Sequence, residues 1–268
     1  MKRIRLRPFC RWTGTVPAAA ALAGTVLAGT VLAGTVLAAP ARAAVARGSV
    51  SVRPGIGAAA VTASRHARNR RLRPGMRGPD VRWVQRRLAR LHYYPGPRDG
   101  RFGADTLEAV WAFQEVQRIA PTGQVGRRMR AALAHPRYPR RLVPRGGAER
   151  VEVDLGHHVL YVYHHNRIVL ISHVSSGGGY YYCSAGSCAY ADTPTGNFRT
   201  LWRVHGWHVS PLGEMYNPVF FDAGFAIHGD TDVPLAPVSH GCVRIPMDIA
   251  SFFPRLVPRN GIPVYVRA

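Results

Sequence analysis

Apolar residues keep two different periods along this chain. Val81, Val84, Leu88 and Leu91 stand three and four apart, the spacing of one helix face. Asp80, after Gly78-Pro79, is placed to cap that helix. Pro95-Gly96-Pro97 and Asp99-Gly100 then turn the chain. A second face runs through Leu107, Val110, Trp111 and Phe113 and stops at Pro121-Thr122-Gly123. A short third helix holds Val125, Met129 and Leu133. Residues 73–135 therefore read as a small three-helix domain. From Glu149 the texture shortens to strands. Val151-Glu152-Val153-Asp154-Leu155 alternates, and Val159 to Tyr163 and Ile168 to Val174 are rich in β-formers. These three segments predict a β-meander. Phe225 to His228 reads as a short buried strand, Pro246 to Leu256 begins as a helix, and Ile262 to Val266 closes with a strand. Many short strands and few helices predict a mainly β domain over 149–268, an antiparallel sandwich or barrel.

The remaining segments lack either period. Residues 136–148, with Pro136, Pro139, Pro144 and Gly146-Gly147, read as a linker. Residues 44–72 are rich in Ala, Arg, Gly and Ser and read as a disordered basic linker. Ahead of them, Lys2, Arg3, Arg5, Arg7 and Arg11 precede an apolar run from Val16 to Ala39, which ends at Ala41-Arg42-Ala43. A basic start, an apolar run and small residues make 1–43 a secretory signal, cleaved after Ala43 or kept as a membrane anchor. In either case the rest of the chain is expected to be exported, to the periplasm or the cell wall.

Charge acquires meaning from that address. The formal net charge is +22, and Lys2 is the only lysine. Residues 1–43 hold six basic and no acidic side chains, so the exported part stays strongly basic. Such a surface attracts polyanions. Outside the membrane these are anionic cell-envelope polymers rather than nucleic acid, with membrane contact only through an uncleaved N-terminal segment.

Four cysteines are present. Cys10 falls in the signal. Cys183 and Cys188 lie five apart, a spacing that suits a local disulfide in an exported protein. Cys242 is the one left over, which points to a free, reactive thiol. It stands in Ser239-His240-Gly241-Cys242-Val243-Arg244, ten residues after His228-Gly229. A thiol needs a base to become a nucleophile at neutral pH, and His228 is the candidate. The N–H groups of Gly241 and Cys242 are candidate oxyanion donors. Gly241 permits close backbone approach beside the nucleophile, and His240 is expected to shape the site. A zinc site from His228, His240 and Cys242 with His205 and His208 is the rival, but the chain has no H-x-x-x-H or C-x-x-C pair.

The cysteine segment resembles the signature of the L,D-transpeptidases, the YkuD-type cysteine enzymes of bacterial peptidoglycan. Thr193-Pro194-Thr195-Gly196 and Asn217-Pro218-Val219-Phe220-Phe221 with Gly224 extend the likeness over roughly 149–268. The loop from His228 to Ser239 is shorter than the family's usual one. Residues 73–135 resemble a peptidoglycan-binding domain, through Asp99-Gly100-Arg101-Phe102-Gly103, Thr106 and Val110-Trp111-Ala112-Phe113-Gln114. The resemblance implies a YkuD-like fold and a carbonyl near Gly229 that fixes the tautomer of His228. It further implies that a stem tetrapeptide gives up D-alanine through a Cys242 thioester to form a 3→3 cross-link, or to attach a protein to the wall. Arg244 is expected to pair with a donor carboxylate. Ser239 is expected to hold the loop, and with Tyr216 to stand among the substrate-binding residues. No cofactor is implied. The alternatives are an L,D-carboxypeptidase, with water as acceptor, and a non-catalytic wall-binding protein.

Overall fold

A computed structural model of the chain describes residues 70–268. The expectations for 1–43, and for nearly all of 44–72, lie outside the described residues. Where the linker 44–72 reaches them it ends early. Leu72 is buried and exchanges backbone hydrogen bonds with Val125. Among the described residues no helix is long and apolar enough to cross a membrane.

Among the described residues three helices come first: α1 Pro79–Arg90, α2 Ala104–Val116 and α3 Arg127–Ala134. Asp80 does not cap α1. Gly78 takes the cap position at φ 132°, no side chain caps it, and Pro79 starts the helix. Proline suits that place because its missing N–H is one the first turn leaves unpaired. Asp80 sits in the first turn instead, where its charge favours the helix dipole. Val125 lies outside α3, held by its pairing with Leu72. Side-chain amides hold the connecting turns. Gln85 accepts from the Gly100 N–H and donates to the Arg101 carbonyl, and Gln114 does the same for Gly123 and Gln124.

The rest is two sheets and a hairpin. Strands β1 Arg150–Asp154, β2 Val159–His164, β3 Arg167–His173, β6 Gly196–Arg199 and β11 Pro263–Arg267 form a five-stranded sheet in the order β3-β2-β1-β11-β6. Strands β7 Trp207–Ser210, β8 Gly213–Asp222, β9 Phe225–Asp230 and β10 Val243–Pro246 form a second, in the order β10-β9-β8-β7. The meander β1-β2-β3 is present, and most pairings are antiparallel. Two are parallel, β1 with β11 and β9 with β10. Each parallel pair needs a long crossover. For β9 and β10 that crossover carries the loop leading to Cys242. Two short helices, α4 Met247–Ala250 and α5 Phe253–Leu256, follow β10 directly. A separate hairpin, β4 Tyr181–Ser184 with β5 Ser187–Tyr190, closes on the Cys183–Cys188 disulfide.

Two cores share the first sheet. Val151, Val153, Leu160 and Val162 pack toward Phe221, Ile227, Val243, Ile245 and Phe253 of the second sheet and its helices. The opposite face of β2 and β3, through Val159, Tyr161, Tyr163 and Ile171, packs with Val84, Leu88, Tyr93 and Phe113 of the helical segment. The sheet is thus covered on both sides, and the polar positions of β1 are buried as well. Arg150 and Glu152 meet at 2.6 Å, and the Arg150 guanidinium lies 3.6 Å from the Tyr163 ring centre. Glu152 also accepts the Leu142 N–H, and Arg150 donates to the Gly147 carbonyl and to Asn166. A buried pair carrying these extra bonds fixes residues 142–147 against the sheet.

Candidate active site

Parallel pairing sets the site. Arg244 lies opposite His228 and Val243 opposite Ile227. Cys242 therefore enters the sheet beside Ala226, whose N–H donates to Sγ at 3.4 Å. Cys242 and His228 both open onto one cavity of about 850 Å³, a size that admits a peptide segment.

The loop before Cys242 is pinned residue by residue. The Gly241 N–H donates to Ser239 Oγ at 3.0 Å, and that hydroxyl donates to the Cys242 carbonyl at 2.5 Å. Thr193 Oγ donates to the Gly241 carbonyl at 2.8 Å and accepts the Gly177 N–H. The Thr-Pro-x-Gly turn thus holds the cysteine loop from behind. Gly241 has φ 132°, and a Cβ there would stand 2.4 Å from a Phe225 ring carbon and 2.6 Å from the Asp192 carbonyl oxygen. Both the backbone conformation and the space demand glycine. Gly229 is needed for a different reason. A Cβ there would meet the Ala250 Cβ at 2.6 Å, so glycine lets α4 pack against β9. Asn217, at φ 47° in β8, donates to the Ala250 carbonyl and accepts the Gly206 N–H.

His228 is buried, and its Nδ1 lies 2.9 Å from the Gly229 carbonyl. A carbonyl only accepts, so Nδ1 carries the hydrogen and Nε2 keeps its lone pair. Burial lowers the His228 pKa, and the positive charge of Arg244 adds to that. The Gly229 carbonyl and Asp230 pull it partly back. Burial pushes the Cys242 thiol up, against the Ala226 N–H and Arg244. Both directions favour an uncharged thiol and an uncharged imidazole at rest. Sγ lies 3.8 Å from the Gly224 carbonyl, and among the described residues no hydrogen bond joins it to His228.

Several expected contacts differ. The Gly241 N–H is used by Ser239, so it does not face an oxyanion. Arg244 is paired with Asp230 at 3.1 Å and donates to the Asp232 carbonyl, so its charge is already answered. Tyr216 does not line the cavity. It faces Trp207 at 5.3 Å between ring centres, and strand alternation turns its neighbour Met215 inward. His240 packs on Tyr182 at 4.6 Å between ring centres, which brings the disulfide hairpin to the cavity rim.

The apolar wall was not legible beforehand. Trp202 stacks on Phe220 at 3.6 Å, with His208 edge-on to that ring, and Met215 and Phe225 complete the wall. Alternation along β8 is the signal that places Met215 and Phe220. Asn217-Pro218 masks it, because the pairing register shifts between Tyr216 and Val219. Among the described residues no group of three metal-ligating side chains occurs.

Known proteins match both halves of this arrangement. Residues 77–133 match a family described as "putative peptidoglycan binding domain", and residues 148–266 match the L,D-transpeptidase catalytic domain. Among solved structures, an L,D-transpeptidase from Xylanimonas cellulosilytica DSM 15894 is 34% identical, over 73% of this chain and 97% of that one, with a TM-score of 0.70. An L,D-transpeptidase from Stackebrandtia nassauensis is 22% identical over 74% of this chain and 95% of that one, with a TM-score of 0.42. One from Mycobacterium smegmatis is 20% identical over 45% and 59%, with a TM-score of 0.37. No match is found among curated proteins. The first of these likenesses runs through nearly the whole solved chain and coincides with the catalytic-domain match, so this chain belongs to the L,D-transpeptidase family, acyltransferases whose partner here is peptidoglycan.

Proposed function

We propose that this enzyme is exported and forms 3→3 cross-links in peptidoglycan through a thioester on Cys242. Sγ leaves the Gly224 carbonyl and attacks the carbonyl at the L-centre of the third residue in a stem tetrapeptide. The thiol proton passes to Nε2 of His228. The Cys242 N–H is the donor left for the developing oxyanion once Ser239 has taken that of Gly241. The amide bond to the terminal D-alanine breaks, and its nitrogen takes the proton back from the imidazolium. An amine of a neighbouring stem then attacks the thioester and gives its proton to His228. The carbon–sulfur bond breaks, and the sulfur regains a proton. The thioester conserves the acyl energy, so no nucleotide is consumed.

The observation that carries this reading is the held tautomer. The Gly229 carbonyl fixes the proton on Nδ1 and leaves a basic nitrogen in the cavity that also contains the thiol. Neutral partners suit the first step, because the proton moves only when the acyl carbon is engaged. The test is mass analysis after incubation with a tetrapeptide donor and an amine acceptor. Wild type is expected to release D-alanine and give a joined product, and Cys242→Ala to give neither. Release of D-alanine with only the water-derived tripeptide would instead identify a carboxypeptidase.

A further inference from the structure

A second cleft, of about 400 Å³, lies where the helical segment meets the first sheet. Its lining comes from three separate stretches: the end of α1 and the following turn (Arg90 to Tyr93), residues 136–141, and the hairpin that joins the end of β2 to the start of β3. The backbone ties the floor together. The Ile171 N–H of β3 donates to the His92 carbonyl at 2.9 Å, and Tyr93 pairs with Ile171 in parallel register. Gln117 clamps the other wall, accepting the Arg137 N–H and donating to the Arg137 carbonyl, both at 2.8 Å. The cleft is therefore built into the fold.

Its chemistry is one-sided. Arg90, Arg137, Arg141 and Arg167 line it, and among the described residues no Asp or Glu does. Arg141 spends one nitrogen on the Asn166 carbonyl. The guanidinium groups of Arg90, Arg137 and Arg167 have no hydrogen-bond or ion-pair partner among the described residues, and all three are exposed. The contrast with Arg150, Arg244 and Arg101 is direct, since each of those meets a carboxylate. Tyr138 is 81% exposed at the same cleft. Tyr163 contributes to the lining, and its buried hydroxyl has no partner.

We propose that this cleft binds a phosphodiester segment of an anionic wall glycopolymer, and so anchors the enzyme beside its substrate. Guanidinium groups rising from separate walls suit an oxyanion that accepts from several directions. A phosphate does this, whereas a planar carboxylate is matched by a single fork. The exposed Tyr138 ring offers a flat apolar face for the polyol or sugar between phosphates. The proposal does not rest on the chemistry of Cys242, which opens onto a different cavity.

The test is calorimetric titration of the full chain with poly(glycerol phosphate) at two salt concentrations. The triple variant Arg90→Gln, Arg137→Gln, Arg167→Gln is compared with a charge-matched control, Arg127→Gln, Arg128→Gln, Arg145→Gln, whose side chains are exposed and away from the cleft. The cleft variant is expected to bind at least about tenfold more weakly, with a shallower salt dependence, and the control within about twofold of wild type. Tyr138→Ala, which removes no charge and no buried contact, is expected to weaken binding about threefold. Transfer from a soluble tetrapeptide donor should be the same in all four proteins. Equal weakening in the cleft variant and the control would show bulk charge alone and overturn the site. So would a wild type that does not bind. Polyglutamate binding as tightly as poly(glycerol phosphate) would overturn the phosphodiester assignment.

Discussion

In the Cys242 cavity the groups that set the geometry are already paired. Asp230 holds Arg244, Ser239 holds the Gly241 N–H, and the Gly229 carbonyl holds Nδ1 of His228. In the junction cleft three guanidinium groups face no acid. The first arrangement freezes geometry, which suits the proton transfers proposed for His228. The second leaves charge unspent, which suits a ligand that brings its own. One strongly basic chain thus uses its arginines in two ways, and net charge alone does not say which.

The comparison breaks most sharply at the sulfur. Cys242→Ala is expected to reduce acyl transfer by at least about 10³-fold while leaving poly(glycerol phosphate) binding in the cleft unchanged, measured by product mass and by titration. Next comes the base. His228→Gln is expected to lower kcat/KM by about 10²- to 10⁴-fold. Its wild-type pH profile carries a sign. Burial disfavours the imidazolium and lowers the His228 pKa, so the neutral base persists below the ordinary histidine range. Activity should therefore rise with pH through a value under that range and stay level across neutrality, and the Gln variant should lose this rising limb. A rise centred above the ordinary histidine value would contradict the assignment of His228 as the buried neutral base.

Gly241→Ala tests whether the cavity is as rigid as its hydrogen bonds imply. The new Cβ would be forced against Phe225 and the Asp192 carbonyl at a positive φ. The expected cost is about 2–4 kcal/mol in denaturant unfolding, together with lost activity. Cleft binding, measured under conditions where the variant is folded, should stay near wild type.

The smallest effect lies where α2 faces α4. Asp105 in α2 has its pKa raised to about 6, first by burial and then by a hydrogen bond with Asp248 in α4 and the charge of that group. A carboxyl whose folded pKa is raised contributes stability fully below its unfolded value. That contribution is lost as pH rises through about 6. Asp105→Asn should therefore show a smaller fall in Tm between pH 5 and pH 8 than wild type. An unchanged slope would mean that the Asp105 carboxyl does not keep its proton past its ordinary range.

Legibility from sequence followed the range of the interactions. Helices α1 to α3 were readable because their apolar spacing is local, and the amide-held turns did not alter it. Asp80 failed as a cap because Pro79 starts the helix one residue earlier and Gly78 takes the special conformation. Strand β8 was seen only as a motif, since Pro218 and a register shift hide its alternation. Met215, not Tyr216, lines the cavity, which the hidden alternation does not reveal. The burial of Arg150 and Glu152 could not be read either. Alternation normally assigns such positions to solvent, and only packing on both sides of the sheet buries them.

What the sequence determined by itself is the class of chemistry and the division into helical and β segments. A lone cysteine beside glycine and histidine, and two apolar periods, are properties of neighbouring residues. What the tertiary structure decided is who pairs with whom. The parallel crossover from β9 to β10 brings Cys242 beside Ala226, and three distant stretches meet in the arginine cleft. Those outcomes depend on contacts between residues far apart in the chain, which no local spacing encodes.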